Sequence, residues 1–568
     1  MLPYINAPFI YVANLLGAAP DELKLIFSFL LSYPLAGILK RIPDSKPWQK
    51  NAYTIFISLF YLVGLFDLWD GLRTLLYSSA GAYAIAYFIK TDLMPWIGFV
   101  FLMGHMSINH IIRQRLNEPG TVDITGAQMV LIMKLTAFCW NVYDGRQPEA
   151  ELSDVQKERA LKEMPDLLDY AGYVLFFPSL FAGPAFDYVD YKNYIGTTMF
   201  ALPPGTDPSK APPTRKKRKI PRSGTPAAMK AGAGLVWIFL FLQLSNYYYA
   251  DFYLGPDYMK YGILRRMWQL HMMGFTARTK YYGVWALTEG ACILSGIGYN
   301  GIDAATGRAK WDRLSNVVPS EIETAQNVRA YLGAWNINTN NWLRNYMYLR
   351  VTPKGKKPGF QATLAVFVTS AFWHGFFPGY YLAFVLASLL QTIAKQGRRL
   401  LRPFVFEGDG KTPTSKKPYY DVFTWFITQL AFDFTTAPFI LLSLSASLTV
   451  WARVWFYCLF GVAACFGFLN SPLKPQLLSE LKKRNTDAKP GLSRASSYDG
   501  THIGGGVPDD PEKELSEIIR EARAEFEKRK RRGSNGLDFK VMLQQKIDEW
   551  KRVGGKIKGD AMKVEKEL

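Results

Sequence analysis

Two polar residues stand where the chain is otherwise most apolar. His374 ends the run FQATLAVFVTSAFWH, and Asn336 lies 38 positions earlier in WNINTNNWLRNYMYLR. A neutral histidine, with an ordinary pKa of about 6.5, can take the proton of an attacking hydroxyl near working pH. An asparagine amide can donate to a carbonyl oxygen as it becomes an oxyanion, an interaction worth about 3–4 kcal/mol in comparable sites. Together they suit acyl transfer from a thioester to a hydroxyl, because a thiolate leaves without a strong general acid. A single histidine in an apolar helix is otherwise a structural hydrogen-bonding group. His105, His110 and His271 read as interfacial or core histidines, and His502 falls in a polar tail. What separates His374 from them is its context, His374-Gly375-Phe376-Phe377-Pro378-Gly379, where proline stops the hydrogen-bond ladder and glycines allow close packing. No GxSxG elbow, HxxxxD pair or metal-ligand cluster accompanies the two residues, and no metal site is expected.

The elements that must position them follow from the basic loops. Lys354, Lys356 and Lys357 mark one cytosolic turn; Lys395, Arg398, Arg399, Arg402, Lys416 and Lys417 mark the next. The apolar stretch 359–396 must therefore leave the cytosol and return, with its break at 374–379. His374 lies 15 positions past Gly359, about 22 Å at roughly 1.5 Å per residue. Asn336 lies 14 positions before Arg350, about 21 Å by the same rise. Two antiparallel arms then bring both to a similar depth, with Asn336, Asn340 and Arg344 forming one polar helical stripe toward the cytosol.

The 568 residues are 49% hydrophobic and 15% aromatic, and a mean hydropathy of −0.02 averages two unlike parts. Residues 1–472 hold repeated apolar runs of about 17–25 residues, the length that spans a bilayer. Residues 3–19 read as interfacial; the first clear span is centred on 25–39, followed by runs at 52–69, 71–90, 93–112, 122–141, 230–252, 420–443 and 447–470. Residues 149–166 read as a charged surface helix, and 166–188 as an apolar run broken by Pro178, Gly183 and Pro184. Residues 473–568 are expected to form a charged, basic, partly disordered tail, in which a Gly/Ser/Asp-rich linker around 493–510 is followed by helical stretches at 511–532 and 539–553. The net charge of +20 sits in loops and tail, so the positive-inside rule accounts for it and no nucleic-acid partner is implied. The RKKRK run at Arg215–Lys219 reads the same way. Four cysteines in apolar segments, none in a CxxC pair, exclude a disulfide framework. No removable signal peptide is evident. The fold expected is an all-α polytopic membrane protein of about eleven transmembrane or re-entrant helices with a cytosolic, partly helical tail. In Arg278–Gly301, Lys280 and Glu289 admit two readings: ion pairing and snorkelling at the interface, or one polar wall of a cavity.

At this point the sequence resembles a known family. WHGFFPGYYLAF (Trp373–Phe384) is similar to the WHGxxPGYxxxF signature of the membrane-bound O-acyltransferases, and Trp335-Asn336 matches their upstream asparagine. RTKYYGVW (Arg278–Trp285) and PSLFAGP (Pro178–Pro184) resemble motifs of the lysophospholipid acyltransferase branch, most like its broad-specificity fungal enzymes. The resemblance covers residues 10–470. It implies an internal reaction chamber and transfer of a fatty acyl group from acyl-CoA, as co-substrate, to a lysophospholipid hydroxyl, with no permanently bound cofactor. It further implies an endoplasmic reticulum membrane location, with His374 and Asn336 as the catalytic pair. Lys280, Tyr281, Tyr282, Trp285, Glu289, Trp335, Asn340, Arg344 and Tyr380 are then candidate walls of the substrate tunnel. Acylation of a sterol, diacylglycerol or protein is the alternative within the family. A transporter, the alternative outside it, should show inverted repeats, and none is found.

Overall fold

The apolar segments form helices in a computed structural model of the chain, which describes residues 3–16, 19–116, 122–202, 211–303, 306–352, 360–407 and 412–487. The Lys354–Lys357 turn, the tail beyond 487 and His502 lie outside the described residues. In order, the helices are α1 (Pro3–Leu16), α2 (Pro20–Leu39), α3 (Pro47–Leu59), α4 (Trp69–Phe88), α5 (Met94–Leu116) and α6 (Thr125–Gly145). There follow α7 (Asp154–Arg159), α8 (Leu167–Val174), α9 (Tyr188–Ile195), α10 (Gly224–Ser245), α11 (Ala250–Leu254) and the long α12 (Ile263–Ser295). The last group comprises α13 (Pro319–Glu323), α14 (Val328–Ala334), α15 (Ile337–Leu343), α16 (Phe360–His374), α17 (Pro378–Leu401), α18 (Lys417–Leu441), α19 (Leu444–Arg453), α20 (Tyr457–Asn470) and α21 (Leu473–Asp487). Among the described residues there is no β-strand; Thr214–Pro221, Ile302–Ala309 and Phe406–Pro413 pair only as isolated bridges.

The surface is that of a membrane protein. Phe56, Tyr77, Phe88, Val100, Phe239, Val368 and Val385 each expose more than half of their area. Such apolar exposure on so many helices is stable against lipid rather than water. Two helical stretches, Pro20–Leu39 and Gly224–Leu254, are long and apolar enough to cross a bilayer unaided. Leu444–Arg453 and Tyr457–Asn470 are so together, as a pair bent by 78°. The other long helices carry polar groups but turn them inward: α6 alone buries Gln128, Lys134, Asn141 and Asp144. Lys134, fully enclosed, lies 4.4 Å from the Tyr173 ring and 4.7 Å from that of Phe186, and donates to the Tyr173 carbonyl.

Two apolar cores result. One gathers α2–α6, α8 and α9 with Trp342 and Trp373; the other gathers α12–α14 with α17–α20. The first is walled by α10, which packs against α12 at backbone distance. A Cβ on Gly234 would lie 2.8 Å from Leu287, and one on Gly283 would lie 2.7 Å from Ile238. Small residues are what permit this approach. The segment 166–188 is broken as its prolines demand: α8 stops at Val174, a 3₁₀ turn covers Phe177–Ser179, and the Gly183–Pro184 peptide is cis. The charged stretch 149–166 is a 3₁₀ turn and the six-residue α7 rather than one long surface helix: Leu152 is extended, Ser153 caps a fresh helix start with Gln156, and the chain is extended again at Ala160.

The two basic loops after α2 and before α10 meet on one side of the molecule. Lys40 Nζ donates to the Pro221 carbonyl at 2.5 Å and to Ser223 Oγ at 2.7 Å. Arg218 donates to the Arg41 carbonyl at 2.9 Å, and the Lys219 amide to Asp44 at 2.9 Å.

Candidate active site

The hairpin expected at 359–396 forms with its break where glycine and proline stand. α16 ends on His374, and Gly375 follows at φ +119°, a conformation that glycine adopts freely. Pro378 opens α17 at its first position. Gly379 lets α17 touch the end of α18: its amide donates to the Leu442 carbonyl at 2.7 Å, and a Cβ there would lie 2.0 Å from the Pro438 oxygen.

His374 is held from one end of its ring. Nδ1 lies 2.6 Å from the Ser370 carbonyl one turn back. A carbonyl only accepts, so Nδ1 carries the proton and Nε2 is the nitrogen with a lone pair. The ring sits in an aromatic enclosure, with Trp373 at 4.7 Å, Phe384 at 4.9 Å, Phe439 at 5.2 Å and Tyr380 at 5.7 Å between centroids.

Asn336 occupies a different kind of position from the one its spacing suggests. It is not inside a helix; it is the left-handed residue (φ 47°, ψ 51°) from which α15 starts. Asparagine is among the few non-glycine residues that take this conformation readily. The Thr339 hydroxyl donates to its Oδ1 at 2.8 Å, which leaves the Nδ2 end as the available donor. The expected helical stripe Asn336–Asn340–Arg344 is therefore interrupted at both ends. Asn336 precedes the helix, and Arg344 begins a π-helical turn, Arg344–Tyr348, that changes the register. Asn340 turns back to cap the preceding chain, donating to the Leu332 carbonyl at 2.7 Å and the Trp335 carbonyl at 2.8 Å.

The motif around Arg278 is brought to the same place. Trp335, next to Asn336, packs its indole against Trp285 at 5.0 Å, Tyr281 at 5.5 Å and Tyr282 at 6.1 Å. Arg278 forks onto Glu323 with two bonds of 2.9 Å, and the Tyr282 hydroxyl donates to the same carboxylate at 2.8 Å. Two further expected wall residues are found in ion pairs. Lys280 is half-exposed and faces Glu22 at 3.4 Å, while Glu289 is buried and paired with Lys230 at 2.9 Å. The ion pairing read for Glu289 is thus present, with Lys230 as the cation.

Sequence spacing gave no hint of the wall behind Asn336. One face of α6 supports the whole segment 339–350. Thr339 Oγ1 lies 3.3 Å from Met133 Sδ, the Trp342 indole donates to Thr136 at 2.8 Å, and the Tyr346 hydroxyl donates to Asn141 at 3.0 Å. Arg350 closes the ladder with a fork onto Asp144 at 2.7 and 2.5 Å and stacks 4.3 Å from Trp140. The i, i+3, i+8, i+11 positions of a helix share one face, and they were legible as such only once the partner was known.

The family model of MBOAT, the membrane-bound O-acyltransferase family, matches residues 117–434, which contain Asn336, His374 and the Arg278–Trp285 motif. The chain belongs to that family. It is 46% identical to the lysophospholipid acyltransferase of Schizosaccharomyces pombe over 84% of this chain and 92% of that protein. It is 42% identical to the lysophospholipid acyltransferase of Saccharomyces cerevisiae over 82% of this chain and 77% of that protein. A more distant relative, human membrane-bound glycerophospholipid O-acyltransferase 2, is 29% identical over 76% of this chain and 80% of its own.

Proposed function

We propose that the protein is a lysophospholipid acyltransferase that moves a fatty acyl group from acyl-CoA to the free hydroxyl of a lysophospholipid. The observation that carries the reading is the 46% identity to the fission yeast enzyme along nearly its whole length. The chemistry assigned to the residues follows from their hydrogen bonds. With Nδ1–H committed to Ser370, His374 offers Nε2 to the hydroxyl proton. The hydroxyl oxygen then attacks the thioester carbonyl carbon, and Asn336 Nδ2–H donates to the oxyanion that forms. As that intermediate collapses the C–S bond breaks, the ester remains, and the proton passes from the imidazolium to the departing thiolate. General-base help of this kind is worth about 10²–10⁴-fold, and the oxyanion donor about 10²–10³-fold. Nothing in the scheme calls for a permanently bound cofactor.

The membrane is that of the endoplasmic reticulum, entered by about eleven transmembrane or re-entrant helices, with the tail in the cytosol. Support for a cytosolic face comes from the basic loops at Lys40–Lys50 and Arg215–Lys219, which join through Lys40, Arg218 and Lys219.

Microsomes carrying the protein or its His374→Ala form, supplied with radiolabelled oleoyl-CoA and a panel of lysophospholipids, test the reading. Incorporation is expected with the wild type and lost in the variant at equal protein level. Unchanged incorporation in the variant refutes the role of His374. Label in a sterol or diacylglycerol, and in no lysolipid product, refutes the acceptor.

A further inference from the structure

A helix leaves its last carbonyls without intrahelical donors, and a buried helix end must find them elsewhere. At the end of α16 the Gly375 amide reaches the carbonyls of Ala371 at 3.2 Å and Phe372 at 3.1 Å. The next carbonyl, that of Trp373, is met from across the fold by Nε2 of His110 on α5, at 3.1 Å and 263 positions away in sequence. The carbonyl can only accept, so His110 holds its proton on Nε2 and donates it. The same ring backs the break itself. A Cβ on Gly375 would lie 3.1 Å from His110 Nδ1 and 3.4 Å from its Cγ, so a side chain there would crowd the ring in addition to the strain its φ of +119° imposes. Phe376 meets the ring edge-on, with centroids 6.3 Å apart. Trp373, Gly375 and Phe376 are thus all braced by one buried imidazole, and His374 is the residue they enclose.

We infer that His110 is a positioning residue for acyl transfer: by capping the Trp373 carbonyl and backing Gly375 it fixes where the last turn of α16 presents His374. The inference rests on His374 being the base. His110 is not assigned as a second base: its Nε2–H is donated to the Trp373 carbonyl, and Nδ1, the nitrogen with the lone pair, is packed against Gly375. Its contribution is geometric, and a displacement on the order of 1 Å at a reacting group costs about 10²-fold in rate.

The test uses the full-length protein purified in detergent and assayed with oleoyl-CoA and lysophosphatidylcholine. His110→Leu keeps bulk and removes the donor; His110→Gln carries an N–H close to the place of Nε2. By the displacement argument, His110→Leu should lower kcat by about 10- to 100-fold. KM for both substrates and the pH at which activity falls should stay as in the wild type. His110→Gln should recover most of the lost kcat. Full kcat in His110→Leu overturns the inference. So does a folded His110→Gln that is inactive, which would assign the effect to ring packing, and so does a displaced pH profile, which would make His110 a proton carrier. If His110→Leu does not fold, His110→Gln alone decides, by whether its kcat and pH profile hold. His374→Ala in the same assay separates the two levels. Wild-type rates there remove the base itself, whereas an inactive His374→Ala beside a fully active His110→Leu removes only the positioning role.

Discussion

The proposed donor role of Asn336 and its left-handed backbone are separable, and four substitutions divide them. Its backbone is left-handed, at φ 47° and ψ 51°, and its Oδ1 is tied to the Thr339 hydroxyl at 2.8 Å. Glycine at 336 keeps the backbone and removes the amide; alanine removes the amide and adds left-handed strain of roughly 1–2 kcal/mol. Loss of an oxyanion donor is worth about 3–4 kcal/mol, so kcat should fall about 10²–10³-fold in both variants. Only Asn336→Ala should also unfold at a clearly lower temperature. Asn336→Asp keeps the bond from Thr339 but sets an anion where the oxyanion forms, and should be at least as slow as Asn336→Gly. Thr339→Val leaves the amide in place but untied. One neutral hydrogen bond is worth about 0.5–1.5 kcal/mol, which bounds its loss at roughly 2- to 13-fold in kcat. Initial rates at saturating acyl-CoA and lysophospholipid, with thermal unfolding of each purified variant, measure both quantities. An Asn336→Gly enzyme within about threefold of wild-type kcat would refute the donor role, since that is under 1 kcal/mol of the expected loss. Equal unfolding temperatures for Asn336→Gly and Asn336→Ala would refute the backbone argument.

Three further outcomes follow from contacts around the site. Asp144→Asn leaves Arg350, whose side chain is nine-tenths buried, without its paired negative charge and should cost up to about 3–5 kcal/mol of stability, seen as a lowered unfolding temperature; adding Arg350→Gln should restore part of it. Gly379→Ala drives a methyl to within 2.0 Å of the Pro438 oxygen, and overpacking of this kind costs about 1–3 kcal/mol; expression and unfolding temperature should drop. Lys280→Ala removes an exposed pair with Glu22 worth at most about 1 kcal/mol, and should leave stability and the rate of acyl transfer within about twofold of wild type.

Much of the hairpin is written locally. Apolar runs bounded by basic loops dictate α16 and α17, and Gly375, Pro378 and Gly379 dictate the break between them, because each acts on its own few dihedrals. The location of His374 at the end of α16 was legible for that reason. Periodicity failed where its premise failed: Asn336 stands outside the helix and Arg344 opens a π turn, so a count of i, i+4, i+8 could not run through them. Asn336 takes a left-handed conformation that its residue type permits but does not demand. Everything that orients the two side chains beyond their own helix comes from distant chain. The α6 face of Met133, Thr136, Asn141 and Asp144 meets residues about 206 positions later, and His110 caps a carbonyl 263 positions away. Sequence spacing reports neighbours along one helix. Which helix supplies the missing donor to a buried carbonyl is decided only when the helices pack, because the carbonyl must be satisfied and any donor within reach will serve.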